Sequence, residues 1–216
     1  MSGRLKLSNF AVSLDGFGTG DGLTRDEPFG HAGHRLHHPW MMATRFWREM
    51  AGQEGRSTGV NNEFAKAHWD GFGAEIMGRG KFWTGTGPIP DDWQGLWGAD
   101  PPFHTPVIVL THQQRADLQT EGTRFLFRDT TPQAALAEAR ELAAGQDVRL
   151  GGGVRTVREF LEADLVDELH VVVVPILLGR GQRLWDGQEA LEDRFDLRFE
   201  PGDNGIMHVV GTRRRA

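Results

Sequence analysis

The fold is decided by the stretch Val148-Arg149-Leu150-Gly151-Gly152-Gly153-Val154, in which a predicted buried strand ends in three glycines and a helix begins. Because glycine has no β-carbon, such a backbone can lie directly against a pyrophosphate, and the helix N-terminus directs N–H groups and partial positive charge towards it. Met77-Gly78-Arg79 has the same order of strand, glycine and helix. Two such junctions favour nucleotide binding over the alternative that the glycines only permit tight turns.

The spacing of these glycines differs from two common phosphate-binding patterns. Val154-Arg155-Thr156 follows the glycine triplet where a G-x-G-x-x-G motif needs its third glycine. The triplet also lacks the Gly-Lys-Ser/Thr ending of a P-loop. The sequence therefore predicts a different dinucleotide-binding fold.

Strand and helix patterns alternate along most of the chain. Apolar runs predict strands at Arg4–Ser13, Ala74–Met77, Val107–Leu110, Arg124–Phe127, Val148–Leu150 and Leu165–Pro175. Cap residues and helical spacing predict helices that begin at Pro39, at Asn61 or Asn62, at Pro132 behind Thr131, and at Val154. Phe195–Phe199 and Met207–Val209 are typical of a closing antiparallel pair. We therefore predict an α/β protein with a central, mainly parallel sheet, helices on both faces and an antiparallel C-terminal hairpin.

Length and composition exclude several classes of protein. The 216 residues predict one domain over residues 1–216. Cysteine is absent, which excludes disulfides, thiol nucleophiles and Cys-ligated zinc. The formal net charge of -6 disfavours a general binder of nucleic acid or anionic membranes. Because the sequence shows neither a membrane span nor a secretory signal, we expect a cytoplasmic location.

The order of several motifs resembles the dihydrofolate reductase fold. In chain order these motifs are Ser13-Leu14-Asp15-Gly16, Met77-Gly78-Arg79, Pro106–Thr111 and Gly151-Gly152-Gly153. The last third of the chain is more specific: it closely resembles the reductase domain of the bacterial riboflavin-biosynthesis deaminase–reductase and its stand-alone homologues. The segments that carry this resemblance are Leu165–Leu169, Val174–Gly181 and Leu184-Trp185. The resemblance spans nearly the whole chain.

The resemblance implies a cofactor and the residues that hold it. NADPH would bind along the carboxyl ends of the strands and deliver a hydride to a small heterocycle or a sugar-derived imine. Ala11 would lie at the nicotinamide. Thr111 and His112 would meet the 2′-phosphate, with Arg115 within reach. The two glycine junctions would contact the phosphates through Gly78, Arg79, Gly80, Lys81, Gly151, Gly152, Gly153, Val154 and Arg155. The peptide bond between Gly151 and Gly152 would be cis.

The substrate side carries fewer signals. A dihydrofolate reductase has a carboxylate on its first helix, whereas the predicted helix up to Met50 offers only Glu49. Asp15 and Ser13 are the predicted catalytic residues, and Glu63 is a predicted substrate contact. For each acid the alternative is a cap or a surface charge, in which case water supplies the proton.

Four histidines lie in a long segment, Leu14–Pro39, that is predicted to be irregular. His34 and His38 have a spacing compatible with a metal on a helix, but a His-Glu pair and thiolates are lacking, so we predict no metal. The family resemblance implies substrate contacts in and after this segment, which makes His37, His38 and Trp40 candidates.

Three functional hypotheses follow. The first is an NADPH-dependent reductase acting on a pteridine, a ribosylaminopyrimidine or a related small molecule. The second is a catalytically inactive NADP(H)-binding protein that keeps the fold, and the third is a structural dimer with empty glycine loops. We predict a homodimer that pairs through Val171–Leu178, a small-molecule substrate, and neither a nucleic-acid nor a membrane partner.

Overall fold

The computed structural model describes residues 3–54 and 57–214. Its strands are β1 (Leu5–Ser13), β2 (Phe17–Thr19), β3 (Phe72–Gly78), β4 (Pro106–Leu110), β5 (Leu118–Gln119), β6 (Arg124–Arg128), β7 (Asp147–Gly152), β8 (Glu168–Val174), β9 (Gln182–Arg183), β10 (Phe195–Pro201) and β11 (Met207–Arg213). Its α-helices are α1 (Arg45–Met50), α2 (Val60–Ala67), α3 (Arg79–Phe82), α4 (Pro132–Leu142) and α5 (Val154–Glu162).

The sheet confirms the predicted fold class. Nine strands follow the order β10-β11-β8-β1-β7-β3-β4-β6-β5, and β2 pairs separately with β9. Strand β3 runs parallel to both β7 and β4, and β4 runs parallel to β6. The predicted C-terminal hairpin is present: β10 pairs antiparallel with β11, with Phe199 opposite Val209, and β11 pairs antiparallel with β8.

The chain divides into two compact units. Unit 1 contains residues 1–6, 23–28 and 71–167, and unit 2 contains residues 7–22, 29–70 and 168–216. Within unit 1 lie strands β3 to β7 and helices α3 to α5, and within unit 2 lie β2, β8 to β11, α1 and α2. The single domain over residues 1–216 stays a prediction.

The helices of unit 1 begin and pack as the sequence predicts. The Thr131 side chain accepts a hydrogen bond from the Ala134 N–H, which caps α4, and Pro132 follows at the first helical position. The apolar faces of α4 and α5 are buried and consist of Ala135, Leu136, Ala139, Val154, Val157, Phe160 and Leu161. Each large side chain among them stabilises the fold by about 1.5–3 kcal/mol through burial.

The first two helices of unit 2 differ from the prediction. Instead of one helix from Pro39, a 3₁₀ turn at Met41–Ala43 precedes α1, because Thr44 is extended and its side chain accepts from the Trp47 N–H. Asn61 and Asn62 do not cap α2: both are buried within its first turn, and the Asn62 Oδ1 accepts from the Phe46 N–H at 2.8 Å.

The segment Leu14–Pro39, predicted to be irregular, contains regular structure. It includes β2 and a 3₁₀ segment at Gly30–Leu36. A buried apolar cluster of unit 2 fixes its position, and this cluster contains Ala11, Phe17, Ala32, Leu36, Trp40, Val172, Val174, Leu178 and Ile206. Apolar residues spaced too irregularly for one helix therefore still anchor the segment.

Unit 2 also buries a chain of hydrogen bonds between neutral groups, which we call the histidine chain. The Asn9 N–H donates to the His170 Nδ1 at 3.4 Å, so this nitrogen is an acceptor. The His170 Nε2 then donates to the His208 Nδ1 at 2.9 Å, and the His208 Nε2 donates to the Asn61 Oδ1 at 2.9 Å. The Phe64 ring packs against the imidazoles of His170 and His208, with ring centroids 4.3 and 4.4 Å apart.

Candidate functional site

The two glycine junctions meet at one edge of the sheet in unit 1. Met77 on β3 is in register with Gly152 on β7, and Gly78 is in register with Leu110 on β4. Because these strands are parallel, their carboxyl ends share an edge, and α3 and α5 both begin there. The structure thus brings together the residues that the sequence predicts for the cofactor phosphates.

The glycines at this edge have two different surroundings. A β-carbon on Gly78 would collide with the Thr156 side chain on α5, so Gly78 is required by close packing. In contrast, a β-carbon on Gly80 or Gly153 would have no other atom within 4 Å, and neither residue has a positive φ. These two glycines therefore leave open space at the starts of α3 and α5. The cis peptide bond is at Gly152-Gly153, one residue later than predicted.

A buried charged network, the Glu75 triad, lies beside the glycine triplet. Glu75 is 1% exposed; its carboxylate accepts from the Lys81 Nζ at 2.9 Å and from the Arg149 Nε at 2.6 Å. A β-carbon on Gly151 would collide with both the Glu75 carboxylate and the Lys81 ammonium group. The triad thus comprises one carboxylate and two cations next to Gly151, one of the glycines predicted to contact the phosphates.

The ionisation of the triad follows from this geometry. Burial alone would raise the pKa of Glu75, but Arg149 and Lys81 outweigh it and lower that pKa below its ordinary value. Burial lowers the pKa of Lys81, against the attraction of Glu75. The sequence predicts only a cofactor contact for Lys81, and the structure shows that its ammonium group also compensates Glu75.

Two arginines stand at the helix starts that border the open glycines. Arg79, the first residue of α3, donates to the Gly87 carbonyl oxygen. Arg155, in the first turn of α5, has a side chain that is 82% exposed and contacts Glu159 at 3.2 Å. Both guanidinium groups lie on the segments predicted to contact the phosphates.

The three residues predicted for the 2′-phosphate are placed unequally. His112 follows β4 with a side chain that is 87% exposed, and its Nδ1 lies 2.7 Å from the Asp129 carboxylate. Thr111 is buried and its Oγ1 accepts from the Gln113 N–H at 3.1 Å. The Arg115 guanidinium donates to the carbonyl oxygens of Pro90, Asp91 and Trp93 and so holds an irregular segment. Its contact with the 2′-phosphate stays a prediction.

The predicted catalytic pair of unit 2 organises a turn. The Ser13 hydroxyl donates to the Asp15 carboxylate at 2.6 Å, and the backbone N–H groups of Leu178 and Gly179 donate to the same carboxylate at 3.1 and 2.7 Å. The hydrogen bond from Ser13 lowers the pKa of Asp15 to about 2, and the two backbone bonds add to this effect. Asp15 is therefore ionised at neutral pH and holds no proton to donate.

The other predicted residues of unit 2 lie in different surroundings. Trp40 is fully buried and donates from its Nε1 to the Leu36 carbonyl oxygen at 2.9 Å, so it is a core residue. His38 is exposed and stacks on His34, with ring centroids 4.9 Å apart. His37 is half-buried against Phe29, and Glu63 is exposed in the first turn of α2.

Ala11 lies on β1 and is 5% exposed. Two residues earlier, Asn9 is also buried, and its Oδ1 has no hydrogen-bond partner among the residues that the structure describes. A buried carbonyl oxygen of this kind is satisfied by a water molecule or by a ligand donor. The part of β1 predicted to face the nicotinamide thus has an acceptor to offer.

Comparisons with known proteins agree with this geometry. The family model described as RibD C-terminal domain matches residues 7–206 of the sequence. The chain belongs to the RibD C-terminal domain family. Comparison with curated protein sequences finds no match.

Solved structures confirm the fold of this RibD C-terminal domain. A proposed riboflavin biosynthesis protein from Shewanella sp. PV-4 has a TM-score of 0.62 at 19% identity, with 100% of both chains covered. Dihydrofolate reductase from Enterococcus faecalis, complexed with NADP(H), has a TM-score of 0.54 at 16% identity, with 100% of this chain and 99% of that chain covered. A deaminase/reductase from Thermotoga maritima has a TM-score of 0.57 at 15% identity, with 99% of this chain and 57% of that chain covered.

Sequence reasoning found the family but missed part of the site. Glu75 and Arg149 lie within predicted strands, and the sequence predicts no functional role for either residue. One signal for the Glu75 triad was available: a charged residue at each of two central strand positions is rarely buried unless it is paired.

Within residues 3–54 and 57–214, acidic and histidine side chains form no group able to hold a metal ion. The described helices are all too short or too polar to cross a membrane.

Proposed function

We propose that this RibD C-terminal domain is a reductase that transfers a hydride from a reduced nicotinamide dinucleotide to a small heterocycle or a sugar-derived imine. The observation that carries the proposal is the shared edge of β7 and β3, where two strands end in glycine and continue into helices. The sequence resemblance favours NADPH as the dinucleotide. The NADP(H) complex of the similar dihydrofolate reductase supports the same class of cofactor.

The chemistry of the edge fits a pyrophosphate. Gly80 and Gly153 leave room beside the helix starts, and Arg79 and Arg155 can donate charge-assisted hydrogen bonds to phosphate oxygens. The Glu75 triad has two cations and one carboxylate, so the positive charge beside Gly151 favours an anion. Burial of a net positive charge costs desolvation free energy, and an anion that binds at this position offsets that cost.

The sheet order supports a position for the rest of the nucleotide. Strands β4 and β6 follow β3 on the side away from β7, so a ribose next to the pyrophosphate would lie over their carboxyl ends. We place the adenosine half there, where Thr111 and His112 follow β4. The roles of Ala11, His37, His38 and Glu63 towards nicotinamide and substrate stay predictions.

The cofactor supplies the hydride, and the protein must bind and orient it. A proton is also needed when an imine or a ring C=N bond is reduced. Asp15 cannot supply that proton at neutral pH, because its pKa is about 2 and its carboxylate already accepts three hydrogen bonds. We therefore assign proton delivery to water. Candidate substrates are a pteridine, a ribosylaminopyrimidine and related small molecules.

A second candidate function is an inactive protein that binds the dinucleotide. Two observations favour it: the acid of α1 is Glu49 alone, with an exposed side chain, and Asp15 is committed to the turn at Leu178. The two functions differ in turnover. Oxidation of the reduced cofactor with candidate substrates supports the reductase, whereas binding without oxidation supports the inactive protein.

Thermal unfolding with NADPH and NADH tests the binding site directly. At a nucleotide concentration of 100 times Kd, binding stabilises the protein by about 2.7 kcal/mol, which raises Tm by about 5–10 °C. Arg79→Ala should weaken binding about tenfold or more through the lost charge-assisted hydrogen bonds. Gly80→Leu should fill the open space and reduce the shift without unfolding the protein. Arg124→Ala is the matched control, because Arg124 begins β6 at the opposite edge.

The absence of any shift in the wild type with either nucleotide would contradict the proposal, and so would equal shifts in all variants.

The predicted homodimer requires a separate measurement. Light scattering at micromolar concentration should give twice the monomer mass, and a single monomeric species would rule it out.

A further inference from the structure

The carboxyl ends of β4 and β6 hold an exposed pair of side chains, of which only His112 has a predicted role. Leu110 and Arg128 are in register at the ends of these parallel strands, and the next residues bring His112 and Asp129 together. The His112 Nδ1 lies 2.7 Å from the Asp129 Oδ1, and the two side chains are 87% and 47% exposed. An ionised carboxylate only accepts hydrogen bonds, so the imidazole donates from Nδ1.

The arginines around this pair are committed to other groups. Arg128, the last residue of β6, is paired with Glu138 at 2.9 Å and with Asp117 at 3.0 Å. Arg115 holds the carbonyl oxygens of the segment at residues 90–93. A 2′-phosphate at the carboxyl ends of β4 and β6 would therefore meet His112 together with its carboxylate partner.

We propose that Asp129 sets the choice between a 2′-hydroxyl and a 2′-phosphate, so that the protein accepts NADH alongside NADPH. This inference rests on the proposed function, in which the adenosine ribose lies over β4 and β6. Two strand spacings, about 10 Å, separate β3 from β6, which leaves space for one ribose beyond the pyrophosphate. A carboxylate accepts a hydrogen bond from a ribose 2′-hydroxyl, whereas it repels the negative charge of a 2′-phosphate.

The predicted preference of the sequence for NADPH is thus weakened at a single position. His112 alone would favour the phosphate, as the family resemblance implies. Asp129 occupies the Nδ1 of that imidazole and adds a negative charge beside it. Removal of the charge at Asp129 should therefore strengthen NADPH binding and leave NADH binding unchanged or weaker.

The test is equilibrium titration of NADH and NADPH, followed by nucleotide fluorescence at one pH and one low ionic strength. In the wild type the two Kd values should lie within about tenfold of each other. In Asp129→Asn the ratio of Kd for NADH to Kd for NADPH should rise about tenfold. Asp100→Asn is the matched control, because Asp100 forms a similar exposed pair with His104, and His104 precedes β4 at its amino end.

The outcomes separate this inference from the proposed function. If both nucleotides bind but the ratio changes less than threefold in Asp129→Asn, the inference is overturned and the proposed function stands. An equal change in Asp100→Asn would also overturn it, because the effect would then reflect net charge alone. If neither nucleotide binds to the wild type, the proposed function and the inference both fail.

Discussion

Each compact unit buries a polar network, and the two networks differ in charge. The Glu75 triad of unit 1 consists of ionic groups: a carboxylate that is 1% exposed lies between an ammonium and a guanidinium group. The histidine chain of unit 2 consists of neutral groups, which run from the Asn9 N–H through His170 and His208 to Asn61. The histidine chain links neutral groups throughout, whereas the triad has a net charge.

This difference indicates what each network contributes. Neutral groups suffice to satisfy hydrogen bonds in a protein interior, and they avoid the large desolvation cost of buried ions. The excess of positive charge in the Glu75 triad supports the proposed anion site beside it. The triad lies beside the glycine triplet of the proposed pyrophosphate site, whereas the histidine chain packs against Phe64 and Trp40 in the core.

The largest effect is expected from breaking the triad. Arg149→Met leaves the buried Glu75 carboxylate with Lys81 as its remaining cation, which should lower the free energy of unfolding by about 3–5 kcal/mol. Urea denaturation at neutral pH measures this change. Arg124→Met removes an arginine from an exposed ion pair with Asp117 and should cost less than about 1 kcal/mol. Equal effects in the two variants would show that the triad is no more than a surface ion pair.

The histidine chain should respond to acid. Burial lowers the pKa of His170 to about 3, with smaller contributions from His208 and Arg198, and burial lowers the pKa of His208 to about 4. Below pH 6.5 the unfolded chain protonates both imidazoles while the folded chain keeps them neutral, so stability falls as the pH drops from about 6.5 towards 4. At pH 5 the loss should be roughly 2 kcal/mol for each histidine.

Urea denaturation at pH 7 and pH 5 checks this expectation. His170→Gln should lose about half of the pH dependence, although the variant itself is less stable. His34→Gln, at an exposed position, should keep the full dependence. A wild type with equal stability at pH 5 and pH 7 would contradict the neutral assignment of the chain.

A smaller effect is expected at Asp15, where unit 2 does use an ionised group. Asp15→Asn replaces one acceptor oxygen by a donor and leaves the N–H of Leu178 or Gly179 without its partner, at a cost of about 1–2 kcal/mol. Amide hydrogen exchange should become faster at these two residues. Because the pKa of Asp15 is lowered, its contribution in the wild type is present above pH 3.8 and is lost as the pH falls through about 2. Unchanged exchange would show that the turn forms without the carboxylate.

The sequence predicted the features that depend on neighbouring residues. Helix α4 was found because Thr131 and Pro132 are adjacent, and the two junctions were found because strand, glycine and helix follow one another directly. The apolar pattern of Phe195–Phe199 and Met207–Val209 likewise predicted the C-terminal hairpin, and the family resemblance added the fold.

Contacts between distant residues could not be predicted in this way. Glu75 and Arg149 lie 74 positions apart, and nothing local to either residue indicates the other. The carbonyl partners of Arg115 could not be predicted either, because they belong to an irregular segment without a recognisable pattern. Trp40 was assigned to the substrate because a single apolar residue after a loop does not reveal whether it faces the core.

The direction of the histidine chain has a dynamic consequence. A backbone N–H can only donate, so Asn9 fixes the acceptor nitrogen of His170, and each imidazole then fixes the next one. Rotation of either ring by 180° would put C–H groups in place of its hydrogen-bonding nitrogens, and the other tautomer would place two donors or two acceptors opposite each other. Both imidazoles should therefore be locked in one tautomer, with Nε2 protons that exchange with solvent only when this part of unit 2 opens. The solvent exchange rates of these two protons, measured by NMR, would therefore show how often this part of the core opens.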